Sequence, residues 1–230
     1  MHYAQVSRSM SGAILAVLAA CLTWALMTRG RRVGAARRHR AFAGNPTPTF
    51  VFADLVGYGS FTEQRGDEAA MRVAQEFRRV MRALSHEHGA WHVKSMGDGA
   101  MICVPDAGRA VALVKRTLTE VGGHPGLLPV RIGAHTGPAV LHDGDWYGSA
   151  VNVAARLVSI ARPNEALVTD STRDAAGAGV RRFLARRDVV GLRGVSAPVG
   201  VWPLAVERRE HAVRRHRTEV SRWILRGGPR

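Results

Sequence analysis

The chain has 230 residues, 46% apolar and 22% charged, which fits one ordinary domain with tails and excludes a wholly disordered chain. Two cysteines, Cys21 and Cys103, exclude a disulfide scaffold and a cysteine-based zinc ribbon. The net charge of +15 suggests a nucleic-acid binder, but residues 1–45 hold seven Arg and no acid, and residues 207–230 hold eight Arg against three Glu. That leaves only +3 for the middle. The basicity sits in the ends, and no helix-turn-helix or zinc-finger spacing accompanies it, so nucleic acid is an unlikely partner.

From the N-terminus, residues 10–28 (MSGAILAVLAACLTWALMT) carry no charge. As a helix they span about 28 Å, near the thickness of a bilayer core. Arg29, Arg31, Arg32, Arg37, Arg38 and Arg40 follow, against Arg8 alone before. The segment therefore reads as a single transmembrane helix with everything after it cytoplasmic, at the cell membrane. A cleaved signal peptide would want the reverse charge order. Gly12, Ala16 and Ala20 share one face, which suits either helix pairing or plain alanine-rich composition. Residues 29–48 form a basic juxtamembrane linker, ending in the Pro/Gly stretch AFAGNPTP.

From Thr49 the blocks alternate. TFVFADLVG (49–57) is a buried strand. Residues 66–88 form an amphipathic helix with Val73, Phe77, Val80, Met81 and Leu84 inward, ended by Gly89. WHVKSM (91–96) and AMICVP (100–105) are strands joined by the turn Gly97-Asp98-Gly99. A helix runs from Asp106 to Val121. LPVRIGAHTG (128–137) is a strand, which PAVLHD continues after a bend. Tyr147 to Ala161 is a helix with Val151, Ala154, Leu157, Val158 and Ala161 inward. NEALVTD is a strand, STRDAAG a short helix, and two strands lie within 181–206. The order predicts an α+β fold, a ferredoxin-like βαββαβ core with an appended βαββ. The tail, 207–230, reads either as a basic interfacial helix or as a solvated end.

Several residues stand out chemically. Asp54 interrupts an apolar strand, where an acid is costly unless paired or metal-bound. Asp98 sits at a hairpin tip and either forms the turn or converges with Asp54 on a hard cation such as Mg²⁺ or Mn²⁺. Lys94 is one of two lysines in a chain that otherwise uses arginine. Asn152 and Arg156, at i and i+4, share a helix face that either meets ribose and phosphate oxygens or is simply exposed. Asp145 lies just before that helix.

Together these blocks resemble the catalytic domain of class III nucleotidyl cyclases, the adenylyl/guanylyl cyclase family. The resemblance covers residues 49–206 and rests on FADLVGYGSFTE (52–63), KSMGDGAM (94–101), VRIGAHTG (130–137) and GDWYGSAVNVAARL (144–157), four motifs in order. It implies that Asp54 and Asp98 bind two Mg²⁺ or Mn²⁺ ions. It implies that Lys94 and Asp145 read the purine, that Asn152 orients the ribose, and that Arg156 stabilises the transition state. The family also uses a late lysine on the triphosphate; the nearest counterpart here is Arg193, in GLRGV. Tyr58 stands where many relatives carry Phe. The resemblance further implies conversion of ATP to 3′,5′-cyclic AMP and pyrophosphate at sites shared across a head-to-tail homodimer. Asp145 can accept from the amino group of adenine and Lys94 can donate to its ring nitrogen, so ATP is preferred. The alternatives are a guanylyl cyclase or a catalytically inactive nucleotide-binding relative.

Overall fold

The computed structural model describes residues 47–205, which fall within the second of two compact units, Asn45–Arg230. Residues 10–28, the 29–46 part of the linker and the tail from 206 lie outside the described residues. Among the described residues no helix is long and apolar enough to cross a membrane. The single-pass membrane localisation read from the sequence is therefore withdrawn: every helix that the structure describes is an amphipathic or short element of the domain.

The elements in chain order are β1 (Thr49–Leu55), α1 (Tyr58–Arg65), α2 (Asp67–Glu87), β2 (Trp91–Met96), β3 (Gly99–Val104), α3 (Ala107–Gly122) and β4 (Val130–Thr136). Then come β5 (Val140–His142), β6 (Asp145–Tyr147), α4 (Ser149–Ile160), β7 (Glu165–Thr169) and α5 (Asp170–Ala176). A 3₁₀ turn over Ala178–Phe183, β8 (Asp188–Val190) and β9 (Val199–Pro203) complete the chain. Seven strands form one mixed sheet in the order β2-β3-β1-β4-β7-β9-β8. The first four strands, with β1 antiparallel to both β3 and β4, make the expected split βαβ core. β7 adds parallel to β4, and β9 and β8 follow antiparallel, as the appended βαββ.

The period-two pattern of β1 sorts its side chains onto two faces. Val51, Ala53 and Leu55 join the main core with Phe77, Met81 and Leu84 of α2 and Leu113, Val114 and Leu118 of α3. Phe50, Phe52 and Asp54 take the other face, where Phe50 meets Trp146 edge-on at 5.5 Å and Trp91 also packs on Trp146. Fully burying one large apolar side chain such as Phe77 contributes about 1.5–3 kcal/mol, so this layer fixes the strand order from which the site is built.

Two differences from the sequence reading have clear causes. The helix expected over 66–88 is preceded by α1, which the periodicity missed because only Phe61 of it is buried. PAVLHD does not continue β4. Its strand β5 folds back on β6 as a separate two-stranded ribbon, with His142 opposite Asp145. Asp143 and Gly144 both take positive φ, as a two-residue type I′ hairpin requires.

Candidate active site

The edge of the sheet where β1 ends assembles an acidic pair. Asp54 lies opposite Gly99 of β3 and opposite Arg131 of β4. The Arg131 Nη2 donates to the Asp54 Oδ2 at 2.7 Å, so this acid in an apolar strand is paired, as its burial demands. The backbone N–H of Leu55 donates to the carbonyl of Asp98 at 3.2 Å, which ties the tip of the β2–β3 hairpin to the end of β1. Gly99 runs close beside the acid: a Cβ there would be in ordinary contact with the Asp54 Oδ1, 3.5 Å away. Burial and then the Asp54 charge push the Asp98 carboxyl above its ordinary range, and Arg131 offsets part of that rise. Neighbouring carboxylates of this kind are a fitting pair for divalent cations. Among the described residues no third Asp, Glu, His or Cys joins them. Two hard oxygen donors leave the rest of a Mg²⁺ or Mn²⁺ shell to water and phosphate oxygens, the usual habit of Mg²⁺.

Arg131 is the residue that sequence reasoning missed. Its signal was available: a lone cation inside the apolar strand VRIGAHT needs a partner. Only the β1–β4 register shows which acid that partner is.

A second set forms on the same face. Lys94 of β2 donates from Nζ to the Asp145 Oδ2 of β6 at 2.5 Å, across 51 residues of sequence. The Trp146 N–H donates to the other carboxylate oxygen at 2.9 Å. Burial works against ionisation of Asp145, but the Lys94 hydrogen bond, the Trp146 N–H and the Lys94 charge together hold its carboxyl below the ordinary range. Lys94 faces Met101 rather than the helices because the strand register shifts between His92 and Lys94.

The third set rides on α4. Asn152 and Arg156 are exposed on its outer side, while Val153, Ala154, Leu157 and Val158 are buried. The helix lies so close on β4 that a Cβ at Gly133 would stand 2.5 Å from the Ala154 carbonyl oxygen. Arg193 is exposed in the β8–β9 connection, next to Leu192, which is buried against Val153 and Leu157 of α4. The loop and the helix are thus held through one small apolar cluster. Among the described residues no carboxylate pairs with Arg156 or Arg193, and no hydrogen bond or ion pair joins the Asp54–Asp98 pair to Lys94, Asn152, Arg156 or Arg193. One chain therefore gathers Asp54 with Asp98 and Lys94 with Asp145, and displays Asn152 and Arg156 outward.

Behind these groups His135 is held by a bond between its Nδ1 and the Thr169 hydroxyl at 2.9 Å. Thr169, Thr172, Thr136 and Thr49 continue as a buried chain of hydroxyls. Burial drives the His135 imidazole down to about 4, so it stays neutral.

A ferredoxin-like sheet with two acids at the end of its first strand and hairpin defines the α+β class of this domain. The adenylate and guanylate cyclase catalytic domain family matches residues 46–202, and the chain belongs to that family. It is 36% identical over 140 residues to a pH-sensitive adenylate cyclase of Mycobacterium tuberculosis, covering 59% of this chain and 35% of that protein. The chain spans about a third of the length of the curated relatives it matches. Its fold is similar to an adenylate cyclase of Trypanosoma brucei in its monomeric state, at TM-score 0.66 and 23% identity, covering 71% of this chain and 90% of that one. It is also similar to the catalytic core of a rhodopsin-guanylyl cyclase of converted specificity in complex with ATPαS, at TM-score 0.63 and 19% identity, covering 70% and 96%.

Proposed function

We propose that this chain is an adenylyl cyclase that converts ATP to 3′,5′-cyclic AMP and pyrophosphate at two equivalent sites of a head-to-tail homodimer. The observation that carries the reading is the meeting of Asp54 and Asp98 at the end of β1, with Arg131 balancing their charge. Asp54 and Asp98 would hold two Mg²⁺ or Mn²⁺ ions. When bound, such ions polarise the α-phosphate and make the ribose 3′-hydroxyl more acidic. The new bond joins the 3′-oxygen to the α-phosphorus, pyrophosphate leaves, and the hydroxyl proton passes to solvent. Asp145 accepts from the adenine amino group and Lys94 donates to the ring nitrogen. Their ion pair sets both groups in place before the base arrives. Asn152 orients the ribose and Arg156 meets the charge that builds on the phosphate oxygens. Arg193 contacts the departing pyrophosphate.

The outward display of Asn152 and Arg156 supports the shared site. A second copy supplies them to the acids of the first, and a two-fold axis then yields two complete sites. The test measures cyclic AMP formed from Mn²⁺-ATP by the full chain over a dilution series, alongside Asp54→Ala and Arg156→Ala. The reading expects specific activity to fall on dilution and each variant to be inactive alone. Mixing the two variants restores part of the activity, because one hybrid site is intact. Equal activity in the parent and Asp54→Ala, or no rescue on mixing, overturns it.

A further inference from the structure

The β5–β6 ribbon, which carries Asp145, forms a sheet of its own and shares no strand pairing with the main sheet. A two-stranded ribbon is marginal unless a hydrophobic contact holds it. Of its six strand residues Trp146 alone is buried. The Trp146 ring packs edge-on against two rings of the main sheet, with centroids 5.5 Å from Phe50 and 6.2 Å from Trp91. Trp146 and Asp145 are neighbours in sequence, and both reach the same strand. The ring meets Trp91 of β2, and the carboxylate accepts from Lys94 of β2. The Trp146 N–H donates to the second Asp145 oxygen, which joins the two contacts into one closed loop.

A regular strand could not offer this grip. Trp91 and Lys94 are three residues apart, so an unbroken β2 would point them to opposite faces. The register shift between His92 and Lys94 removes the conflict. Trp91 lies opposite Cys103 and Lys94 opposite Met101, two residues apart on β3 and so on one face. A shift of this kind re-aims a side chain. The ion pair does not do the holding alone, because its side chains are 41% and 27% exposed and a pair so open to solvent fixes little geometry. Ordinary core packing accounts for a buried tryptophan. It gives no reason for an irregular β2 that brings a ring and an ammonium to two adjacent residues of β6. We propose that Trp91 and Trp146 are positioning residues for base selection. Their ring contact sets the distance between the ribbon and β2, and with it the placing of the Asp145 carboxylate and the Lys94 ammonium toward the purine. Both act through Lys94 and Asp145 rather than on the nucleotide. The inference rests on the assignment of that pair to the base.

The experiment compares cyclic AMP formation from Mn²⁺-ATP with cyclic GMP formation from Mn²⁺-GTP in the full chain, and records Tm for every variant. Trp146→Leu should lower the ATP-over-GTP ratio of kcat/KM by about tenfold to a hundredfold, the effect of shifting an aligned group by about 1 Å or less. Trp146→Phe keeps a ring against Phe50 and Trp91 and should hold most of the ratio. Trp91→Leu, at a half-buried position, reads the same contact from the other side should Trp146→Leu fail to fold. In a Lys94→Met chain neither tryptophan change should lower the ratio further, because both act on one contact. A fall in Tm with the ratio unchanged in the Leu variants means packing alone and overturns the inference. So does a Trp146→Phe chain as unselective as Trp146→Leu, or a full further loss in the Lys94→Met background. A parent chain that forms neither product or both alike, or a Lys94→Met chain with the parental ratio, refutes the base assignment itself, and the inference falls with it.

Discussion

Gly133→Ala tests how the fold holds the proposed transition-state groups. The new Cβ would lie 2.5 Å from the Ala154 carbonyl oxygen, 2.6 Å from the Leu157 Cβ and 3.0 Å from the Val158 nitrogen. Ordinary contact begins near 3.4 Å, so α4 must retreat by about 0.9 Å. Backbone and a β-carbon supply all three obstacles, and none can swing aside as a side-chain tip would. Overpacking of this kind costs about 1–3 kcal/mol. For a chain of this size each kcal/mol lowers Tm by about 2–4 °C, so a fall of about 2–12 °C is expected. Activity should suffer more than stability. Asn152 and Arg156 ride on the displaced helix, and a misplacement of about 1 Å costs about a hundredfold in rate. The assay pairs thermal melting with cyclic AMP formation from Mn²⁺-ATP at a protein concentration that saturates dimer formation. Gly179→Ala is the control, since a Cβ there meets nothing within 4 Å and its backbone is ordinary. A Gly133→Ala chain with parental Tm and parental turnover would refute the close approach of α4 to β4.

Lys94→Met removes the donor to Asp145 and to the base while keeping most of the side-chain volume; ATP turnover should fall by at least about tenfold and the ATP-over-GTP ratio should collapse, measured by parallel assays on both nucleotides. An unchanged ratio would remove Lys94 from base selection. Mn²⁺ binding, followed by electron paramagnetic resonance, should weaken as pH falls through the raised range of Asp98, because the metal needs the ionised form. Asp98→Asn should abolish that pH dependence together with most of the binding. His135 remains neutral in the fold to about pH 4, whereas an unfolded histidine takes up a proton near 6.5. The unfolded chain therefore binds more protons over that window, and stability should drop as pH falls from 6.5 toward 4 and level off below it. The loss is at most about 3 kcal/mol, reduced by the partial exposure of the ring, and His135→Gln should flatten it in urea unfolding.

The candidate residues of this chain were legible in its sequence one by one. Asp54 stood out as an acid in an apolar strand, Asp98 as one at a hairpin tip, Lys94 as one of two lysines, and Asp145 as the acid before a helix. The structure gathers them into two pairs. The core order β1-α2-β2-β3-α3-β4 was readable because α2 and α3 bury continuous apolar stripes. α1 had no stripe to read. The β5–β6 ribbon did carry a signal, Asp143-Gly144 between short flanks, but both of its strands are only three residues long and follow a stronger strand, β4. The partner of Arg131 was out of reach for a different reason. It depends on which residue of the neighbouring strand stands across from it, and register is a property of the folded sheet.

The β2–β3 hairpin carries Lys94 on one strand and Asp98 at its tip. Under the shared-site reading, those two residues serve different nucleotides, one for each half of the assembly. A small tilt of that stiff ribbon would move a base contact in one pocket and a cation ligand in the other at once. Ligand entering either pocket would therefore be felt by its twin through a single rigid lever, without any other part of the domain having to shift.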